Sequence, residues 1–236
     1  MSQELLLLLF TSATIALIHT LLGPDHYLPF IVIAKARNWP YLKTLSITAL
    51  CGLGHVLGSV VLGIIGIAFG VLLSRLAFFE SFRGDLAAWA LIAFGLVYFT
   101  WGMRKAIKNK NHIHAHAHYG FEHTHNHTHT NEHSHIHPQK AEREITPWIL
   151  FTVFLFGPCE PLIPVLMYPA AKEGIFETAM VTLVFGVVTI LTMVTVVSVF
   201  FFGLKKIPPG GFSRYSHALA GGTIFLCGGA IQFLGL

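Results

Sequence analysis

Charge is scarce in this chain: Asp, Glu, Lys and Arg make up 11% of its 236 residues, against 54% hydrophobic, and mean hydropathy is +0.66. So little charge, with the apolar residues gathered in runs, excludes an ordinary soluble domain and predicts an integral membrane protein. Cysteine is scarce as well. The three present, Cys51, Cys159 and Cys227, lie in apolar segments, which excludes a disulfide framework of the secreted kind. The opening MSQELLLLLF lacks a basic stretch and a small-residue cleavage site, so the start of a retained helix is expected and not a signal peptide. No nucleotide-binding loop, nucleic-acid signature or soluble domain is visible. The expectation is therefore a protein that is not an enzyme and uses no cofactor.

What the chain has in quantity is long apolar runs. They cover roughly residues 4–34, 44–73, 86–103, 147–170, 178–203 and 217–236, each near or above the ~20 residues a spanning helix needs. Six transmembrane helices follow, with the first broken near its middle at Gly23-Pro24, because proline deletes a backbone hydrogen bond and clashes one turn back. Twelve of the fifteen Lys and Arg residues fall in the loops after helices one, three and five: Lys35, Arg37, Lys43, Arg104, Lys105, Lys108, Lys110, Lys140, Arg143, Lys205, Lys206 and Arg214. The positive-inside rule then puts those loops in the cytoplasm and both termini outside, in a multi-pass plasma (inner) membrane protein.

An internal repeat organises the runs. A shift of 134 lays GPDHYLPFIVIAKA (23–36) on GPCEPLIPVLMYPA (157–170), matching Gly23 to Gly157, Pro24 to Pro158, Asp25 to Cys159 and His26 to Glu160. Nearly the same offset carries Gly52 onto Gly186 and Gly95 onto Gly228. Each unit holds three helices, an odd number, so the second copy must lie upside down relative to the first. The expected architecture is an all-α membrane protein of two inverted three-helix repeats, residues 1–103 and 147–236, with helices one and four broken at Gly-Pro. Residues 104–146 form a loop between them.

Polar groups within the apolar runs mark the candidate site. Of eleven acidic residues, Asp25 and Glu160 are the two read as lying within spans, where an ionisable group is costly enough to need a partner or a function. His19 and His26 flank the first break, and His55 sits in CGLGHVLG on helix two. Imidazole and carboxylate, with a thiolate, suit a first-row divalent ion and not Mg or Ca. The candidate metal ligands are His19, Asp25, His26 and His55, with Cys159 and Glu160 opposite. The plainer alternatives are a helix-to-helix hydrogen bond for His55, proton carriage for Glu160, packing for Cys159 and an interfacial role for His217.

Eleven of the fifteen histidines lie between residues 112 and 137, in HIHAHAH, HTHNHTH and HSHIH. Alternating His-x-His cannot bury a core, so this cytoplasmic loop is expected to be disordered and to capture transition metals loosely, the alternative being a solvated linker.

The motifs HTLLGPDH and GHVLG, with the central histidine tract, resemble the nickel/cobalt transporter superfamily. That group includes the UreH-like urease-accessory membrane proteins and the nickel/cobalt efflux proteins, with a LysE-type inverted-repeat fold. The resemblance implies metal-binding roles for His19, Asp25, His26 and His55. It also implies transport of a divalent ion, nickel or cobalt first and zinc next, through a midplane site by alternating access, in a protein able to form homo-oligomers. One departure is that five residues, Thr20 to Pro24, separate His19 from the Asp-His pair, where the well-known nickel permeases have four.

A second resemblance competes. GPCEPLIP is similar to the proline-flanked cysteine motif of the thiol-disulfide electron carriers related to cytochrome-c-biogenesis membrane proteins. Those carriers need a cysteine in each repeat, and the equivalent of Cys159 here is Asp25. Sulfite or organic-anion export is a further alternative, against which stands the expectation of no intramembrane Arg or Lys to meet an anion.

Overall fold

Ser2 sets the start of the chain's first helix, its hydroxyl accepting from the Leu5 N–H at 3.1 Å and so capping an otherwise orphaned donor. The computed structural model describes residues 2–108, 112–118, 121–127, 145–205 and 213–235. Helix α1 (Gln3–Leu22) leads through a 3-10 turn (Pro24–His26) into α2 (Leu28–Arg37), then α3 (Tyr41–Ala68) and α4 (Leu73–Lys108). After a hairpin of β1 (His112–His118) and β2 (Phe121–His127) come α5 (Thr146–Phe156), α6 (Leu162–Lys172), α7 (Ile175–Lys205) and α8 (Ser216–Leu234). Asn38, at φ 51°, closes α2 in the left-handed region that Asn tolerates.

Five segments are long and apolar enough to cross a bilayer: α1, α3, α4, α7, and α8 with the 3-10 turn before it. Their outward faces carry exposed Leu7, Phe10, Leu42, Val97 and Leu226, a surface that water would not tolerate and lipid covers. The chain is an all-α multi-pass membrane protein in contact with the bilayer. The expected fourth span, 147–170, is two 11-residue helices, α5 and α6. The expected first break also sits elsewhere than mid-helix. It follows α1, which at 20 residues is about 30 Å long and spans by itself.

The third run extends further than its hydropathy shows, 36 residues instead of 86–103, and takes in Glu80 and Arg83. The central tract, expected without regular structure, pairs β1 with β2 antiparallel, with His112 opposite His127, His114 opposite His125 and His116 opposite His123. The remaining histidines of that tract, His129, His133, His135 and His137, lie outside the described residues, as do Lys110, Lys140, Arg143 and Lys206.

Helix neighbours are α4 with α8, α1 with α7, α3 with α5, α2 with α8, α4 with α6, α2 with α7, and α3 with α6 and α7. Small residues set the closest of these contacts, as expected where lipid removes the hydrophobic drive between helices. A Cβ on Gly95 would strike the Phe225 backbone, and one on Gly221 the Phe99 backbone, so α4 and α8 meet main chain to main chain. The larger apolar cluster, with Phe30, Ile33, Cys51, Leu150, Phe154 and Met193, fills the space between α2, α3, α5 and α7.

Basic groups gather at one end. Lys35 donates to the Leu204 carbonyl at 3.0 Å, and the Arg37 guanidinium stands 5.8 Å from the Tyr98 ring. Lys105 hydrogen-bonds His217 at 3.3 Å and Tyr98 does so at 2.9 Å, which accounts for His217 as a residue of this end and not of the site.

Candidate site at two broken helices

Pro24 ends α1 because it has no N–H to offer the helix, and Pro29 opens α2, where a missing donor costs nothing. The Tyr27 hydroxyl donates to the Leu21 carbonyl at 3.2 Å, one of the acceptors released by the break. Gly23 at the joint has a steric reason. A Cβ there would lie 2.5 Å from His26 Nδ1 and 2.9 Å from Asp25 Oδ1, so only glycine lets both side chains fold back against the turn.

Three imidazoles converge at this turn. His19 comes from the last turn of α1, His26 from the 3-10 turn and His55 from the middle of α3. The His19 and His26 ring centres are 4.8 Å apart and those of His26 and His55 5.0 Å, each pair edge-on. One ring nitrogen from each lies within 4.8 Å of the other two. His26 and His55 are buried, and the Nε2 atoms of all three are buried with no hydrogen-bond partner among the described residues.

The other nitrogen is accounted for on the His26 ring. His26 Nδ1 faces the Gly23 carbonyl at 3.1 Å and Asp25 Oδ1 at 3.2 Å. Facing two acceptors, Nδ1 carries the proton, which leaves Nε2 with its lone pair. The His55 ring packs edge-on against the Phe154 ring of α5, ring centres 6.3 Å apart.

The second break runs from Gly157, which caps α5, through Pro158, Cys159 and Glu160 to Pro161 at the start of α6. Cys159 turns its side chain into an apolar cluster with Ala16, Val56, Leu162 and Phe185, and donates its N–H to Ser59 Oγ at 3.2 Å. Arg83 binds Glu80 Oε2 at 2.6 Å and donates to the carbonyls of Leu155 at 3.1 Å and Gly157 at 3.3 Å. Glu80 is fully buried. This buried pair corrects the expectation that no Arg stands among the helices and that Asp25 and Glu160 are the acids there. Its signal was present in ESFR: Glu and Arg three apart, on one helix face. Ser59→Ala removes the acceptor of the Cys159 N–H and is expected to lower stability by about 1–3 kcal/mol, read from thermal unfolding in detergent.

A cavity of about 530 Å³ opens beside both breaks, lined by His19, Asp25, His26, His55, Asp85 and Glu160 among others. Of the six expected ligands, the structure brings His19, His26 and His55 together. Asp25 stands one bond back, on His26. Glu160 is exposed on the cavity wall, and Cys159 faces away from it. Cys51 and Cys227 are free and buried, and Cys51 belongs to a different apolar cluster from Cys159.

Spanning helices, two proline-flanked turns and, beside both turns, a cavity that carries His19, Asp25, His26, His55 and Glu160 on a largely apolar wall define a polytopic membrane protein with its candidate site at the helix breaks. The chain matches, over residues 29–230, the family described as cytochrome C biogenesis protein transmembrane region, and it belongs to that family. No curated protein matches it, and no solved structure does.

The family match overturns the resemblance to the nickel/cobalt transporter superfamily. With it go the nickel, cobalt and metal-transport readings and the metal-binding roles that rested on that kinship. Short motifs misled because a histidine, a gap and an Asp-His pair fit any helix break that needs polar caps. The match supports the competing reading, a thiol-disulfide electron carrier, better than metal transport. It begins at Pro29, so the segment with His19, Asp25 and His26 lies before it, while His55, Cys159 and Glu160 lie within it.

Proposed function

We propose that this protein carries reducing equivalents across the plasma membrane by thiol-disulfide exchange, with the second helix break as its redox element. Family membership supports the class, and one observation points to the residue. Cys159 sits between Pro158 and Glu160, which both line the cavity, while its own thiol is packed among apolar side chains. A rotation of the chain at this break exchanges the two environments.

Once exposed, the Cys159 thiolate attacks an acceptor disulfide: a bond forms between Cys159 and one acceptor sulfur, and the other leaves as a thiolate. A donor thiolate then attacks the Cys159 sulfur and releases the acceptor fully reduced. The donor's second thiolate frees Cys159 and closes the donor disulfide, so two electrons and two protons have passed from donor dithiol to acceptor disulfide. A single shuttling thiol of this kind is compatible with Asp25 at the equivalent position of the first break.

The architecture in this reading is six spans in two inverted repeats, with α5 and α6 together making the fourth. The neighbour list supports it, because exchanging the halves maps α1 with α7 onto α5 with α3, α2 with α8 onto α6 with α4, and α2 with α7 onto α6 with α3. The donor has to reach the Cys159 sulfur while the acceptor is still joined to it, so in this reading the cavity beside the breaks opens to both faces at that step. The basic end faces the cytoplasm and the termini face outward.

The test is reconstitution in vesicles with a reduced dithiol protein on one side and a disulfide protein on the other. Cys159→Ser is expected to lower transfer to the rate of protein-free vesicles, while Cys51→Ser and Cys227→Ser keep it. Wild-type transfer by Cys159→Ser would overturn the proposal.

A further inference from the structure

Three orphaned imidazole nitrogens in one buried place need an explanation that thiol exchange at Cys159 does not give. Buried polar atoms are normally paired, and each unpaired one costs about 1–3 kcal/mol. Here His19, His26 and His55 each bury an Nε2 with no partner among the described residues, and the His26 ring stands edge-on to the other two, at 4.8 Å from His19 and 5.0 Å from His55. Packing alone gives no reason to collect three such costs at one point. A shared electrophile does, because it accepts all three lone pairs at once.

We propose that His19, His26 and His55 bind one resident copper or zinc ion through their Nε2 atoms, at a site independent of the redox chemistry at Cys159. Neutral imidazole is a borderline ligand, matched to such ions and poorly matched to Mg or Ca. Bonds of about 2.0–2.1 Å require the three nitrogens to draw together to about 3.5 Å. One ring nitrogen of each histidine already lies within 4.8 Å of the other two, so the closure asks for side-chain movements of about 1 Å.

The surroundings match what metal-bound histidines have elsewhere. Such a histidine usually gives its second N–H to a carboxylate or a backbone carbonyl, which fixes the ring and the tautomer. His26 has Asp25 and the Gly23 carbonyl in that role. The cavity supplies a route in and room for a water in a fourth position. Asp25, Asp85 and Glu160 on its wall favour a cation over an anion. Those carboxylates attract and orient; the inner set is the three imidazoles.

The probe is purified full-length protein with the eleven histidines of residues 112–137 replaced by Gln, so that the tract does not compete. Stripped protein is titrated with Zn(II), and separately with Cu(I) under reducing conditions, against a chromophoric competitor. One equivalent of either ion is expected to bind tightly. His26→Ala and His55→Ala should each weaken it at least 100-fold, Asp25→Asn about 10- to 100-fold, and His217→Ala not at all. Tight binding of one ion and not the other identifies the metal.

X-ray absorption on the loaded protein should show three imidazole nitrogens at about 2.0 Å. If an alanine variant unfolds, His26→Gln, which keeps a polar group of similar size, takes its place. Equal affinity in parent and His26→Gln, no tight equivalent with either ion, or a spectrum without imidazole scattering would each overturn the site.

Discussion

Gly221→Ala is expected to destabilise the protein by about 3 kcal/mol or more, a loss visible as a lower unfolding temperature in detergent and reduced accumulation in the membrane. The magnitude follows from what the new methyl meets. Overpacking against side chains costs about 1–3 kcal/mol because rotamers give way, whereas at Gly221 the obstacles are the Phe99 N and Cα and the Gly95 carbonyl oxygen. Backbone within a helix moves only with the helix, so α8 must back away from α4 along its length. Gly95→Ala should do the same from the other side, where the obstacles are Phe225 backbone and the Gly221 carbonyl. Gly229→Ala is the control. Nothing lies within 4 Å of its Cβ position, and the gain in helix propensity, about 0.5–1 kcal/mol, should leave stability level or raised. Wild-type unfolding by Gly221→Ala would show that α4 and α8 do not meet as described.

Arg83→Met should cost about as much for a different reason. Removing the guanidinium leaves the Glu80 carboxylate buried without its counterion and deprives the Leu155 and Gly157 carbonyls of a donor. Breaking a buried pair from one side typically costs about 3–5 kcal/mol, while replacing both partners by neutral groups costs far less. Glu80→Gln combined with Arg83→Met should therefore be more stable than Arg83→Met alone, and a double-mutant cycle on unfolding gives the coupling. Additive losses would mean that the two side chains do not act as a pair. Because Arg83 holds the carbonyls on which α5 ends, the single variant should also slow thiol transfer through Cys159.

Both breaks were legible in the sequence because proline leaves the helix no choice: the missing donor at Pro24 and Pro158 acts whatever surrounds it. The histidines at the first break were legible for a related reason, since imidazole is conspicuous among leucines. Other features depended on tertiary distance. That Cys159 turns away from the cavity while Glu160 stands on its wall is decided by which way one turn faces, and adjacency in sequence does not encode it. Glu80 and Arg83 were hidden because a window of hydropathy averages them into a loop, although in the fold they neutralise each other against the end of α5. Kinship was the least legible: a motif of a few polar residues fits several membrane families, and a match over residues 29–230 weighs far more of the chain than any short motif carries.

The placement of His55 on α3, with the Phe154 ring of α5 packed against it, also sets an order of events during synthesis. His19, His26 and His55 all lie in the first quarter of the chain, so the imidazole cluster can assemble as soon as α3 leaves the ribosome and inserts. Phe154 arrives roughly a hundred residues later, about 5–20 s at ordinary translation rates. Until then the His55 ring lacks the Phe154 ring that packs against it, and the nascent protein carries a half-fixed cluster that the arrival of the second half locks.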